Sequence, residues 1–103
     1  MNYRFHPAAE AEHLEQIVFY ESRQQGLGSR YRTHFLRTIE RICEAPAQYP
    51  IEHPPDIRRV RLRLFPLTVL YRERNGVIQL LAIAHYRRRP GYWLARLPYR
   101  TVG

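Results

Sequence analysis

Residues 57–85 read IRRVRLRLFPLTVLYRERNGVIQLLAIAH, and this stretch decides the fold. Arg59, Arg61 and Arg63 alternate with Val60, Leu62 and Leu64, the period of two that makes a half-buried strand with a basic outer face. Phe65-Pro66 interrupts it. Residues 67–72 predict a second strand. Asn75-Gly76 is the dipeptide that adopts positive φ most readily and so closes two-residue hairpins. Residues 77–84 are apolar on both faces, which suits a central strand covered from both sides.

Upstream the period lengthens to 3.6. His6-Pro7 opens a helix, with Pro at the first helical position, where its missing N–H costs nothing. Glu10, Glu12 and Glu15 crowd the early turns and complement the helix dipole. Ala11, Leu14, Ile17, Val18 and Glu21 fall at helical spacing, widened by Phe19 and Tyr20, and Gly26-Leu27-Gly28 stops the run. Ser29 is the expected N-cap of a second helix. Its apolar stripe is Tyr31, Phe35, Leu36, Ile39, Ile42 and Cys43, and Pro46 ends it. Residues 46–56 hold four prolines and read as an extended loop, while residues 3–5 read as a short strand. The order β-α-α-β-β-β predicts an α+β fold of two layers, a helical hairpin packed on a small antiparallel sheet.

At 103 residues the chain is expected to be one domain, 1–103, with residues 97–103 a short tail. A single cysteine, Cys43, excludes an internal disulfide framework and a cysteine-based zinc site, and it reads as a small core residue. No apolar run is long enough to span a bilayer, and the opening residues lack the apolar core of a secretory signal. The expectation is a cytoplasmic protein without a membrane partner. All 17 basic residues are arginine, against nine acids, for a net charge of +8. Residues 1–54 carry six Arg and seven acids, whereas residues 55–103 carry eleven Arg against Asp56 and Glu73. The second half is therefore where a polyanionic partner is expected.

Arg59, Arg61 and Arg63 on one strand face would stand roughly 6–7 Å apart. Arg72 and Arg74 on the paired strand extend that patch. Either a nucleic-acid backbone or a row of carboxylates answers it, because guanidinium forks bind both. Arg87 and Arg88 follow the central strand among His85, Tyr86, Tyr92 and Trp93, an interleaving of forks and rings that suits anion binding. The packing reading is preferred for Tyr92 and Trp93, which the Pro90-Gly91 turn sends back over the sheet, with Arg96 facing solvent or an anion. His85 is either a general acid or base or a hydrogen-bonded sheet residue. Glu52 and His53 are the remaining acid/base candidates near the basic face. His6, His13 and His34 show no metal-ligand pairing, and no cofactor motif is present, so no metal and no cofactor are expected.

Several of these segments also follow a family pattern. Phe5-His6-Pro7-Ala8-Ala9-Glu10, Phe19-Tyr20 and Gly26-Leu27-Gly28 belong to it. So does the block from Ile57-Arg58-Arg59 through Phe65-Pro66, Tyr71 and Ala84-His85 to Arg88, Pro90-Gly91-Tyr92-Trp93 and Arg96. Over residues 3–97 the chain resembles the RelE/ParE superfamily of bacterial toxins, the toxic halves of type II toxin–antitoxin pairs, often described as plasmid stabilisation proteins. The resemblance implies the same helical hairpin on a sheet, an acidic cognate antitoxin, and one of two targets. RelE-like members cut mRNA on the ribosome, whereas ParE-like members poison DNA gyrase without chemistry of their own. Ribonuclease members place a basic residue three positions before the strand tyrosine, where this chain has Thr68 before Tyr71, and Arg87-Arg88 stand where many carry a His-Tyr pair. The Phe-Pro, the His85-x-x-Arg88 ending and the Pro-Gly-Tyr-Trp segment resemble the ParE branch. The leading expectation is a ParE-like gyrase inhibitor that binds its target or antitoxin through Arg59, Arg61, Arg63, Arg72, Arg87 and Arg88. The alternatives are a ribosome-dependent endoribonuclease using His85, Arg61, Arg63 and Glu52, and a degenerate toxin that keeps only antitoxin binding.

Overall fold

Strand β1 (Asn2–Phe5) leads through His6 into helix α1 (Pro7–Arg23), and a short turn leads to α2 (Leu27–Glu44). Four strands follow: β2 (Ile51–His53), β3 (Ile57–Arg61), β4 (Leu67–Arg74) and β5 (Val77–His85). A single 3-10 turn spans Tyr92–Arg96. This computed structural model describes residues 2–97, so most of the expected 97–103 tail lies outside the described residues. The sheet order is β1-β5-β4-β3-β2, antiparallel except where β1 pairs parallel with β5. The hairpin covers one face of this sheet, and the α+β, two-layer expectation holds. Residues 46–56 were expected as loop throughout. Instead Ile51–His53 form an edge strand against the start of β3.

The helix boundaries follow from their caps. His6 Nδ1 accepts the Ala8 amide at 3.0 Å in front of Pro7 at the first helical position. Ser29 is not the cap of α2. Gly26 stands at that position with φ +88°, and the carboxylate of Glu21 accepts the amides of Gly26 and Gly28 at 2.9 and 3.0 Å. Those amides are orphan donors at a positive helix end, so an acidic side chain from the preceding helix serves as well as a local hydroxyl. Gly28 also sets the helix separation, because a Cβ there would lie 2.7 Å from the Ile17 carbonyl oxygen. Gly28→Ala must push the two helices apart, and a cost of about 1–3 kcal/mol in urea unfolding is expected. An unchanged midpoint would show that the hairpin tolerates the separation.

The core lies between α2 and the sheet. Tyr31, Phe35, Ile39 and Ile42 of α2 meet Leu67, Val69 and Tyr71 of β4 and Ile78, Leu80 and Ile83 of β5. In α2 the expected stripe is displaced toward Thr38, which is buried, while Leu36 is 36% exposed and Cys43 is half-buried against the core. In α1 the expected stripe is wrong by a larger rotation. Ala9, His13 and Tyr20 are buried, while Leu14 and Val18 are 55% and 69% exposed. Two polar side chains on the buried flank account for this. His13 Nδ1 hydrogen-bonds the Tyr31 hydroxyl at 2.8 Å, and Glu12 reaches the edge of β5. Periodicity ranks them as outward residues, but their partners draw that side of the helix inward.

The expected run of alternation through Leu64 also stops early. β3 ends at Arg61, Leu62 is buried, and Leu64 is 76% exposed. Phe65 turns inward against Tyr20 and Tyr31, with ring centroids 4.8 and 5.4 Å away, and this takes the chain out of the strand. The Leu62 amide then donates to the Leu67 carbonyl and closes the connection. Asn75 (φ 52°) and Gly76 (φ 76°) form the expected positive-φ hairpin turn between β4 and β5.

β5 is apolar on both sides because a second, smaller cluster covers the far face. Ile57, Leu70, Leu81 and Ala82 lie there beneath Trp93, which is 4% exposed. The β4–β5 pairing passes from Leu70↔Ala82 to Tyr71↔Leu80, a bulge that leaves Leu81 extra and lets two consecutive residues join this cluster. Trp93 thus packs as expected. Leu94 does not share its burial, at 38% exposed, and Arg96 faces neither solvent nor an open anion site. Its guanidinium forms a fork to Glu12 at 2.9 and 2.8 Å and donates to the Leu81 carbonyl at 2.9 Å. β1 pairs only as far as Leu80, so the outer edge of β5 beyond it needs other partners. Glu12 accepts the Ile83 amide at 3.0 Å and the Tyr92 hydroxyl at 2.5 Å, and together with Arg96 it satisfies that edge. Burial alone would raise the Glu12 pKa, but the hydrogen bonds from Arg96, Tyr92 and Ile83 outweigh it and hold the carboxyl below its ordinary value.

Candidate functional site

The far face of the sheet is apolar near its middle and cationic toward β3. Ile57, Arg59 and Arg61 share this face. In register, Arg59 lies opposite Leu70 and Arg61 opposite Thr68, which in turn lies opposite Ala84. The segment after β5 rises beside them and returns through Pro90-Gly91 into the 3-10 turn. A groove of about 420 Å³ results, with Arg59 and Arg61 on one wall, Thr68 and Leu70 on the floor, and His85 and Arg88 on the other wall. Glu52 of β2 stands at its rim.

Aromatic rings hold the guanidinium groups in place. Arg61 lies over Tyr86 at 5.4 Å, and Arg88 over Tyr92 at 3.8 Å. A stacked guanidinium keeps its edge donors free for an anion while its face is occupied. Arg59 meets Glu52 at 3.5 Å, an exposed pair that an incoming anion can displace at small cost. His85 Nδ1 accepts the amide of Arg87 at 3.0 Å, so the imidazole closes the turn and its Nε2 is left to carry the proton of the neutral ring. His53 packs edge-on against Trp93 with centroids 6.2 Å apart. Tyr92 is tied to Glu12, and burial together with that hydrogen bond pushes its hydroxyl well above the ordinary tyrosine value.

Of the residues expected to form one basic surface, the structure assembles Arg59, Arg61 and Arg88, with His85 and Glu52 beside them. Arg63 does not join them. It follows the end of β3, and the turn made by Phe65 places it against a different recess beneath α2. Arg72 lies further along β4, hydrogen-bonded to Gln79 at 2.8 Å, and Arg74 pairs with Asp56, so neither lines the groove. Arg87 is exposed outside it. Tyr86 and Tyr92 back the guanidinium groups of Arg61 and Arg88, a stacking that aromatics between arginines beside a strand end make possible. Among the described residues, no group of three or more His, Cys, Asp or Glu side chains could hold a metal ion. No described helix is long and apolar enough to cross a membrane.

Comparison with known proteins adds three findings. The sequence model of a family described as the ParE toxin of type II toxin–antitoxin system, parDE, matches residues 3–90. Among solved structures, the chromosomal ParDE toxin–antitoxin system from P. aeruginosa is similar with a TM-score of 0.69. It is 17% identical, over 82% of this chain and 95% of that one. No curated protein matches. At that identity the structural likeness speaks for the fold. The family match ends just before the turn that carries Tyr92, Trp93 and Arg96.

Proposed function

We propose that this chain, which belongs to the family of ParE toxins of type II toxin–antitoxin systems, acts by binding DNA gyrase and holding it, without cleaving a substrate. A cognate acidic antitoxin neutralises it in this reading. The observation that carries the proposal is the chemistry of the groove. Arg59, Arg61 and Arg88 present three cationic forks, two of them stacked on tyrosine rings, over a floor of Thr68 and Leu70. Guanidinium groups bind carboxylate or phosphate tightly but do not give up protons, so the site is equipped to grip an anionic surface. Thr68 stands where RelE-like ribonucleases carry a basic residue, and it supplies a hydroxyl in place of a cation.

The second reading, a ribosome-dependent endoribonuclease, draws on the presence of Glu52 and His85 on the same groove as Arg61. Purified protein tested for inhibition of gyrase supercoiling and for ribosome-programmed mRNA cleavage separates the two. His85→Ala is expected to leave growth arrest and supercoiling inhibition within a few-fold of wild type. A nuclease using His85 as acid or base would instead lose roughly 10²–10⁴-fold in rate.

Antitoxin segments that fold on binding bury apolar residues and place carboxylates against basic strands. The double variant Arg59→Glu/Arg61→Glu is therefore expected to weaken the antitoxin complex about 10- to 100-fold through like-charge contacts. Titration at low salt measures this. An unchanged dissociation constant would place the antitoxin's acidic segment elsewhere.

A further inference from the structure

Behind the basic groove, between α2 and the outer side of β3, lies a second recess of about 600 Å³. His34, Thr38 and Arg41 enter it from α2, Gln48 from the following loop, and Arg63 from the connection after β3. No acidic residue lines it. Arg59 and Arg61 reach its rim from the groove side, Arg59 beside Glu52 and Arg61 over Tyr86. Arg41 and Arg63 form no ion pair among the described residues.

A histidine ring and a backbone donor lie beside these arginines. His34 Nε2 is covered from solvent and meets no hydrogen-bond partner. Such an atom is uncommon in folded proteins, and its cover keeps it out of reach of a ligand in the open recess. The donor belongs to the backbone. Pairing of β2 with β3 stops at Arg58, and the Arg59 amide donates outward to the Pro50 carbonyl at 3.1 Å. Amide direction alternates along a strand, so the Arg61 amide, two residues on, points to the same open edge.

We propose that this recess is a binding site for a phosphoryl group, held by the forks of Arg41 and Arg63 and completed by the Arg61 amide. The guanidinium groups of Arg41 and Arg63, which form no ion pair among the described residues, match the charge of about −1.5 to −2 that a phosphate monoester carries at neutral pH. A lone carboxylate would neutralise half of that. Tetrahedral oxygens also suit donors that arrive from a helix, a loop and a strand edge. The volume admits either free phosphate or the phosphate end of a nucleotide.

Isothermal titration of the purified chain with inorganic phosphate, and separately with adenosine monophosphate, at constant ionic strength tests this. Saturable uptake is expected, weakened about tenfold or more in Arg41→Gln and in Arg63→Gln. It should be unchanged in Arg74→Gln, whose partner Asp56 lies away from the recess. NMR signals of the His34 ring should move with phosphate in the wild-type chain, a readout separate from growth arrest or antitoxin affinity. Tighter binding of the nucleotide would assign a nucleoside phosphate, and equal binding would assign phosphate itself. Absence of saturation, equal losses in all three variants, or a His34 ring that does not respond would each overturn the proposal.

Discussion

A chain ending at Arg89 is expected to lose most or all of its stability. Trp93 seals the apolar cluster of Ile57, Leu70, Leu81 and Ala82, and replacing a buried Trp costs about 3–5 kcal/mol. The same truncation removes Tyr92 and Arg96 from Glu12. The carboxylate would then sit beside the β5 edge with only the Ile83 amide, and the Leu81 carbonyl would lose the Arg96 donor. Breaking a largely buried pair by removing one partner costs about 3–5 kcal/mol. The two losses together rival the ~5–15 kcal/mol that holds a domain of this size. Urea unfolding followed by far-UV circular dichroism measures it, with Trp93→Ala and Arg96→Ala as separate, milder variants. The wild-type chain should show blue-shifted, poorly quenched Trp93 fluorescence. A truncated chain with the wild-type midpoint would mean that the turn is only an appendage on the sheet.

The second large effect is acid sensitivity. His13 is 8% exposed, stacked near Phe5 and Phe35, and bonded to the Tyr31 hydroxyl. Burial, assisted by the charge of Arg32, pulls its pKa from 6.5 down to about 4. The folded state therefore keeps His13 neutral where the unfolded chain takes up a proton. Its contribution is fully present above pH 6.5 and is lost as the pH falls through about 4. That difference corresponds to about 3 kcal/mol. His34 and His6, also held low by burial and neighbouring arginines, act in the same direction. Glu12 adds a loss only at lower pH, because its carboxyl is held below the ordinary range. Urea midpoints at pH 7.5 and pH 4.5 for the wild type and His13→Gln isolate the histidine term. The variant should be less stable at neutral pH but flatter across the interval. Parallel pH curves for the two chains would remove His13 as the source.

The groove was readable in the sequence to the extent that its parts lie on one strand or one turn. Arg59 and Arg61 stand two apart on β3, and Arg88 follows β5 within reach of Tyr92, so strand alternation and local spacing predict both placements. Arg63 obeys the same spacing and still leaves the row. Alternation describes a chain that stays in the strand, and the demand of Phe65 for a place between Tyr20 and Tyr31 ends the strand first. The place of His34 on the wall of the second recess follows from the packing of α2 beside the β3 edge, which no local spacing encodes.

Local physics determined the elements. Pro7 and Pro46 bracket the helical pair, Asn75-Gly76 closes the hairpin, and the change of period at residue 57 separates helix from strand. These signals act over a few residues and need no distant partner. Tertiary structure alone decided which side of α1 is buried, how β5 is completed, and where Arg96 goes. Glu12 meets partners 71, 80 and 84 residues away in the chain. A polar residue with such partners belongs inside, and a periodicity argument assigns it to the surface. Leu14 and Val18 are exposed for the same reason, because one helix can turn only one side to the sheet, and hydrogen bonds at the β5 edge chose that side.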